Sequence, residues 1–128
     1  MAVNFSESKT KENLMRAFAG ESQARNRYTF AAEQCRREGM QSIGGIFLYT
    51  ADQELAHARR FYELLKPETG TTIFIDGSYP VDEPGSVQDL LQAAAHNENE
   101  EAVDVYPAFA RIAKEEGFYE AASTFMQI

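Results

Sequence analysis

The chain has 128 residues, 44% of them hydrophobic and 12% aromatic, which is enough for one domain with a buried core and too little for two. Twelve basic and twenty acidic residues give a net charge of −8, an acidic balance that argues against nucleic acid and against an anionic membrane surface as partners. No apolar run approaches the roughly 20 residues of a membrane span, and the polar first residues lack the apolar core of a secretory signal. We therefore expect a cytoplasmic protein.

The cysteine content narrows the kind of metal site that the chain can build. Cys35 is the single cysteine, which excludes an intrachain disulfide and a thiolate cluster within one chain. A metal site would have to use carboxylates and imidazoles. We interpret Cys35 as a small core residue and His96 as a histidine that lies off the apolar face of its helix.

The pattern of apolar residues, caps and breakers predicts four helices, with a long crossover between the second and the third. Gly39 ends the first helix, and Pro67 and Gly70 stop the second. Pro107 predicts a kink in the third helix, with a break there as the alternative. The predicted helices cover about 8–38, 41–65, 86–116 and 119–128, and the crossover covers about 66–85.

Acidic residues fall on the predicted apolar face of three of these helices. When each face is written at alternating spacings of four and three, carboxylates stand among the apolar positions. Glu54 and His57 lie three residues apart and point the same way. The three faces are Leu14, Phe18, Glu21, Arg25, Tyr28, Ala32 and Cys35; Ile43, Phe47, Thr50, Glu54, His57, Phe61 and Leu64; and Val87, Leu91, Ala94, Glu98, Glu101, Val105, Ala108 and Ile112.

Four carboxylates on core faces need a source of positive charge. An unpaired buried carboxylate costs several kcal/mol, and a group of them also repel one another. One arginine and one histidine on the same faces are too few to neutralise them, whereas bound divalent or trivalent cations would do so. Oxygen ligands with a neutral imidazole suit iron or manganese better than a metal that prefers thiolates.

Each of these residues also has a simpler interpretation. Glu21 has Arg25 four residues away as an ion-pair partner, and a single Glu-x-x-His pair is more often a surface pair than a ligand set. The run NENEE at 97–101 is compatible with a solvated face. Tyr28 and Tyr106 fit equally well as core aromatics and as hydrogen-bond donors that hold ligating carboxylates in place. The coincidence on three helices favours the metal site.

Three segments carry a resemblance to a known family: GESQARNRYTF at 20–30, IFLYTADQELAHARRF at 46–61 and NENEEAVDVYPAFARIAKEEGF at 97–118. They resemble the erythrin, or ferritin-like di-iron, domain of the rubrerythrin family. The resemblance implies an all-α, ferritin-like four-helix bundle with a long crossover between helices 2 and 3. It also implies a centre of two iron ions, for which manganese and zinc are alternative metals. The ligand positions that it implies are Glu21, Glu54, His57, Glu98 and Glu101.

The sequence departs from the family pattern in two ways. The family's fourth helix carries a second Glu-x-x-His-type ligand set, but this sequence stops at Ile128, so we expect a truncated fourth helix. The rubredoxin-like domain is also absent, so electrons are expected from a separate donor such as a rubredoxin. Ala121, Phe125 and Ile128 are expected to lie open and to seek a partner, which favours a homodimer, with helix exchange as one route to it.

The resemblance implies a non-haem di-iron peroxidase that reduces hydrogen peroxide, provided that the missing ligand helix is supplied. The same ligands would also suit a ferroxidase in iron handling. From a different class of protein, the chain is compatible with a metal-poor helical dimerisation module if the fourth helix is truly absent.

Overall fold

A computed structural model of the chain describes residues 3–83 and 85–128. Met1, Ala2 and Pro84, which belong to the predicted domain and the predicted crossover, lie outside the described residues. Within the described ranges the chain is helical or irregular, without a strand. A π-helical segment covers Glu101–Val105, and short 3-10 turns cover Phe5–Glu7 and Lys66–Glu68. The helices are α1 (Lys9–Arg37), α2 (Gln41–Glu63), α3 (Val87–Glu100), α4 (Tyr106–Glu116) and α5 (Tyr119–Gln127).

Helices α1 and α2 form the main pair of the bundle, packed together along their length. The Ser8 side chain caps α1 by accepting a hydrogen bond from the Lys11 N–H at 3.0 Å. Gly39, with φ of +76°, follows the last residues of α1 in the left-handed conformation that glycine adopts without strain. The short turn through Met40 then returns the chain as α2. None of the helices in the described residues is long and apolar enough to span a membrane.

The predicted third helix, 86–116, is divided by the π-helical segment. Ser86 caps its start by accepting a hydrogen bond from the Asp89 N–H at 3.2 Å, and Gly117, with φ of +91°, ends it. Before Pro107 the Tyr106 N–H bonds to the Glu101 carbonyl, five residues back, which widens the turn. The disruption that Pro107 predicts therefore takes the form of a π-helical segment, because proline lacks the N–H needed for the regular ladder.

Two apolar clusters fill the interior, one toward each end of α1. The first is centred on Phe61, Tyr106 and Phe125, and the second on Tyr28, Phe47 and Leu90. Cys35 is fully buried in the second cluster, which confirms its assignment to the core. The part of α1 around Glu21 lies between the two clusters, so the buried acids Glu21 and Glu54 occupy the layer that separates them.

The predicted apolar faces are wrong at several positions. Arg25 is exposed, so it does not belong to the core face of α1. In the third helix Leu90 is buried, whereas Leu91 is 42% exposed and Val105 is 37% exposed. Within the regular α3 the buried face includes Leu90 rather than Leu91, and the π-helical segment then changes the register between α3 and α4.

Expectations for the end of the chain also need correction. Ala121 and Phe125 are buried within this chain rather than open to a partner. The Phe125 ring centroid lies 5.4 Å from that of Phe61 and 5.4 Å from that of Phe109, and Ile128 packs at the edge of the same cluster. The turn at Gly117 folds α5 back onto α4, which supplies the contacts that the sequence pattern left unassigned.

The crossover runs over α1 and α3 and is attached to both. Asp76 accepts a hydrogen bond from Arg16 Nη2 at 2.7 Å, which ties the crossover to the first half of α1. Farther along, Asp82 accepts hydrogen bonds from Arg27 Nη1 at 3.1 Å and from Asn97 Nδ2 at 2.9 Å. These contacts hold the crossover against one side of the bundle.

Candidate metal centre

Glu21, Glu54 and His57 come together in the layer between the two apolar clusters. Glu21 lies on α1, and the other two lie one helical turn apart on α2. One potential ligand atom from each residue lies within 4.8 Å of those of the other two. Glu21 is 1% exposed and Glu54 is 3% exposed, whereas His57 is half-buried. Two carboxylates and an imidazole thus converge on one point that is largely shielded from solvent.

Hydrogen bonding leaves these two carboxylates incompletely satisfied. Among the residues that the structure describes, Glu21 Oε2 and Glu54 Oε2 are buried and accept no hydrogen bond. His57 Nδ1 lies 3.8 Å from Glu21 Oε2, which is too long for a hydrogen bond. Buried carboxylate oxygens without donors are costly, so their presence here indicates a place for a cation. This donor set therefore fits a metal ion with a preference for oxygen and imidazole ligands.

Tyr106 holds the other oxygen of Glu21. Its hydroxyl donates a hydrogen bond to Glu21 Oε1 at 2.6 Å, in the interior of the bundle. Burial raises the pKa of Tyr106, and the negative charges of Glu21 and Glu101 raise it further, so the phenol stays protonated and remains a donor. The contact directs Glu21 Oε1 toward α4 and leaves Oε2 facing the group on α2.

Tyr28 makes the corresponding contact with Glu98. Its hydroxyl donates to Glu98 Oε1 at 2.9 Å, and burial is the main reason why the pKa of Tyr28 is raised, with the charge of Glu98 adding to it. The guanidinium carbon of Arg27 lies 5.6 Å from the centroid of the Tyr28 ring. Glu98 itself is exposed, in contrast to the burial expected from its predicted face.

Glu101 stands at the start of the π-helical segment and is half-buried. Burial raises its pKa to about 8, and the nearby charges of Glu21 and Glu98 contribute to the same shift. Glu98 and Glu101 are not members of the compact group formed by Glu21, Glu54 and His57. Glu101 is close enough for its charge to interact with that of Glu21, and Glu98 interacts in turn with Glu101.

The sequence analysis identified seven candidate residues, and the structure shows that their environments differ. They are Glu21, Tyr28, Glu54, His57, Glu98, Glu101 and Tyr106. Of the five ligand positions that the resemblance implies, three converge, and the two on the third helix lie beside them. Both tyrosines lie in the apolar clusters and also donate hydrogen bonds to carboxylates, so they have features of both interpretations, and ligation by those carboxylates stays a prediction. The contact of Arg27 with Asp82 was missed, because no local pattern relates residues that are 55 positions apart.

Arg25, which lies four residues from Glu21, is not its ion-pair partner. Arg25 is exposed, and it has no ion pair with Glu21 among the contacts of the described residues. His96 is exposed as well, with its Nε2 lying 3.5 Å from Glu100 Oε2, away from the buried acids. The charge that balances Glu21 is therefore not supplied by the nearest arginine.

Comparison with known proteins decides the family. The model of the rubrerythrin family matches residues 12–128. The chain belongs to the rubrerythrin family. This rubrerythrin-family chain is 51% identical to the rubrerythrin of Porphyromonas gingivalis, over 94% of this chain and 59% of that protein. It is 47% identical to the rubrerythrin of Clostridium perfringens, over 94% of this chain and 63% of that protein.

Solved structures place this rubrerythrin-family chain in the same fold class as nigerythrin. A structure of nigerythrin in its fully reduced, all-ferrous state has a TM-score of 0.80 and 34% sequence identity, and the match covers 98% of this chain and 65% of that one. The all-α, ferritin-like bundle that the resemblance implied is thereby confirmed. The chain spans about three fifths of the length of the curated rubrerythrins that it matches, 59% and 63% of the two named above.

Proposed function

We propose that the chain forms the di-iron domain of a peroxidase that reduces hydrogen peroxide with electrons from a separate donor protein, provided that the family's fourth-helix ligand set is supplied. The observation that carries the proposal is the pair of buried carboxylate oxygens, Glu21 Oε2 and Glu54 Oε2, left without hydrogen bonds beside His57. Membership of the rubrerythrin family and the similarity to an all-ferrous nigerythrin support iron as the metal. Manganese and zinc are the alternative metals for the same donors.

The charge and geometry of the acids suit a pair of metal ions better than one. Glu21, Glu54, Glu98 and Glu101 would together bring up to four negative charges, which two divalent ions would balance. Glu21 groups with Glu54 and His57 and also interacts electrostatically with Glu101, so it would hold metal together with the residues of α2. His57 would add a neutral nitrogen ligand from α2.

Iron bound at this centre would supply the two electrons that, with two protons, convert one hydrogen peroxide into two waters. The residues of the chain do the positioning. The hydroxyl of Tyr106 donates to Glu21 and that of Tyr28 donates to Glu98, so each tyrosine would restrain the orientation of its carboxylate at the centre. The apolar clusters on either side limit the access of water, which strengthens the electrostatic interactions inside.

A paired experiment tests both the metal and the reaction. The protein is loaded with ferrous iron without oxygen, its iron content is measured, and peroxide consumption is followed with a rubredoxin as reductant. We expect iron binding and turnover in the wild type and a large loss of both in Glu54→Gln. Asp52→Asn, which changes an exposed acid on the same helix, is the matched control and should behave as wild type.

Different outcomes separate the peroxidase from the other candidate functions. A ferric core that grows with each addition of iron and oxidant would identify iron handling rather than peroxidase chemistry. Failure of the wild-type protein to hold iron would contradict the proposal altogether. Equal iron binding in Glu54→Gln and in wild type would remove Glu54 from the ligand set.

Two further predictions belong to this proposal. A homodimer is supported by large apolar side chains on the surface of α2, where Ile46 is 61% exposed and Tyr49 is 65% exposed. Light scattering tests it, and a monomer at all accessible concentrations would contradict it. A cytoplasmic location is the setting in which a rubredoxin would serve as donor, and fractionation of cells that contain the protein checks it.

A further inference from the structure

A cavity of about 260 Å³ lies beneath the crossover, between α1, residues 77–80 and the junction of α3 with α4. We call it the crossover cavity. It is several times larger than the roughly 30 Å³ that one water occupies in the liquid. Its lining residues all lie within 3–83 and 85–128. None of its described lining residues lies on α2, the helix that carries His57.

The floor of the crossover cavity is formed by two residues of the candidate metal centre. Glu101 and Tyr106 both line it, and the Tyr106 hydroxyl is 2.6 Å from Glu21 Oε1. A small molecule in the cavity would therefore lie against the residues that surround the buried carboxylates. Its walls also carry the polar side chains Gln23 and Asn97, whose amide groups bond to neighbours in α1 and the crossover.

Tyr79 covers the cavity from the crossover. Its hydroxyl donates to the Arg16 carbonyl at 3.1 Å, and its ring lies 3.5 Å from the point that a Cβ on Gly20 would occupy. Gly20 lies inside α1, directly before Glu21, where glycine weakens a helix relative to alanine. A Cβ at this position would touch the Tyr79 ring at an ordinary van der Waals distance, so the ring packs closely against this turn of α1.

The part of the crossover that carries Tyr79 is held on both sides. Asp76 is bound by Arg16, and Asp82 is bound by Arg27 and Asn97. With anchors before and after it, the 77–80 segment is restrained against α1 and α3. The size of the opening is therefore set by the Tyr79 ring rather than by large movements of the crossover.

We infer that the crossover cavity is the entrance by which the oxidant reaches the candidate centre, and that Tyr79 sets the size limit of that entrance. This inference rests on the proposed peroxidase function. Hydrogen peroxide has two heavy atoms and can donate and accept hydrogen bonds, so it fits through the crossover cavity beside the Tyr79 ring. Hydroperoxides with a bulky organic group are excluded by the ring.

Tyr79→Ala tests the size limit in the full-length, iron-loaded protein. The rate of oxidation of the reduced protein is measured with hydrogen peroxide and with cumene hydroperoxide, which would be reduced to its alcohol and water. We expect the ratio of the two rates to shift by about tenfold toward cumene hydroperoxide, while the rate with hydrogen peroxide changes little. Tyr79→Phe keeps the ring and is the matched control, so it should keep the wild-type ratio.

Ser78→Trp tests the entrance independently and without turnover. Ser78 lines the cavity, and a tryptophan there would obstruct it. The readout is the rate at which azide binds the oxidised, iron-loaded protein, followed by its absorption spectrum. We expect this rate and the rate with hydrogen peroxide to fall by a similar factor. Thr72→Trp, at an exposed crossover position outside the cavity lining, should leave both rates unchanged.

The outcomes separate this inference from the proposed function. If the wild type reduces peroxide but neither Tyr79→Ala nor Ser78→Trp changes the rates, the entrance lies elsewhere and the inference is wrong. If Ser78→Trp slows azide binding while the wild type consumes no peroxide, the entrance stands and the peroxidase proposal fails. Should Tyr79→Ala not fold, as judged by circular dichroism, Tyr79→Leu and the Ser78→Trp result still decide the question.

Discussion

Glu116 differs from Glu21 and Glu54 in burial and in the hydrogen bonds that its carboxylate accepts. Glu116, at the end of α4, accepts hydrogen bonds from the Lys9 and Thr10 N–H groups at 2.9 and 2.8 Å and from the Thr10 hydroxyl. Glu21 and Glu54, in the middle of the bundle, are more deeply buried, and each has an oxygen without a donor in the described part of the chain. The better buried acids are thus the worse satisfied ones.

Hydrogen bonding therefore distinguishes an acid that stabilises the fold from an acid that is a candidate metal ligand. Glu116 completes the start of α1, where the first N–H groups of a helix lack partners, and its charge is matched by the helix dipole. Glu21 and Glu54 have no such role, and their free oxygens converge near His57 instead. An acid whose oxygens accept hydrogen bonds from the protein stabilises the fold. Neighbouring buried acids whose oxygens accept no hydrogen bond indicate a binding site for a cation.

The largest expected effect is the loss of stabilisation by metal in Glu54→Gln. Ferrous iron at one hundred times its dissociation constant should raise the free energy of unfolding of the wild type by about 2.7 kcal/mol. The variant should lose most of this gain, although without metal it should be at least as stable as wild type because a buried unpaired charge is gone. Denaturant unfolding with and without iron, under anaerobic conditions, measures both. Equal stabilisation of the two proteins would contradict the comparison.

Tyr106→Phe should have the second largest effect on the free energy of unfolding. It removes the only donor to Glu21 shown among the described residues, and a hydrogen bond to a buried charge contributes about 2 kcal/mol. Chemical denaturation of the metal-free protein measures the loss. Tyr119→Phe, at a position that is 67% exposed, is the control and should have no measurable effect. Tyr28→Phe should lie between them, because its partner Glu98 is exposed. An unchanged Tyr106→Phe protein would mean that Glu21 does not depend on this donor.

Glu116→Gln should reduce the free energy of unfolding by about 1 kcal/mol, as loss of a helix cap does. Burial alone would raise the pKa of Glu116, but the hydrogen bonds from Thr10 and Lys9 outweigh burial and lower it below its usual 4.5. A lowered pKa stabilises the folded state above the unfolded pKa, and this contribution is lost as the pH falls through the folded value.

The difference between Glu116→Gln and wild type should therefore be complete at neutral pH and shrink below pH 4.5. Glu115→Gln, an exposed neighbour with the same change in charge, is the control. Unfolding curves across this pH range measure the difference. A difference that grew on acidification would contradict the role of Glu116 as an ionised cap.

The smallest expected effect is that of Arg25→Ala, which should change the free energy of unfolding by no more than about 0.5 kcal/mol because Arg25 is exposed. The same denaturation experiment on the metal-free protein checks it. A loss of several times that size would show that Arg25 neutralises Glu21 after all, and the comparison between Glu21 and Glu116 would no longer hold.

Much of the fold could be predicted because its signals are local. Ser8 and Ser86 cap helices through N–H groups three residues ahead, and Gly39 and Gly117 end helices by adopting positive φ. These contacts lie within one turn, so the sequence near each helix end is sufficient to locate it. The register of the third helix could not be predicted in this way, since the π-helical segment interrupts the regular spacing.

The candidate site was predictable in part for the same reason. Spacing along α1 and α2 alone put Glu21, Glu54 and His57 on inward faces. Spacing could not show that Arg25 turns outward, nor that Glu98 is exposed, because both depend on which side of each helix its neighbours cover. It also could not choose between the two interpretations of Tyr28 and Tyr106.

By itself the sequence determined an acidic, all-α chain with its helix ends, its crossover and a set of acids on helical faces that should be apolar. Periodicity and capping act over a few residues, and they are therefore readable from the chain. The tertiary structure decided which of those acids are buried without donors, that Tyr106 reaches Glu21 across 85 residues, and that the crossover covers a cavity beside them. These features arise from packing between distant segments, whose relative positions are set by the whole core rather than by any local pattern.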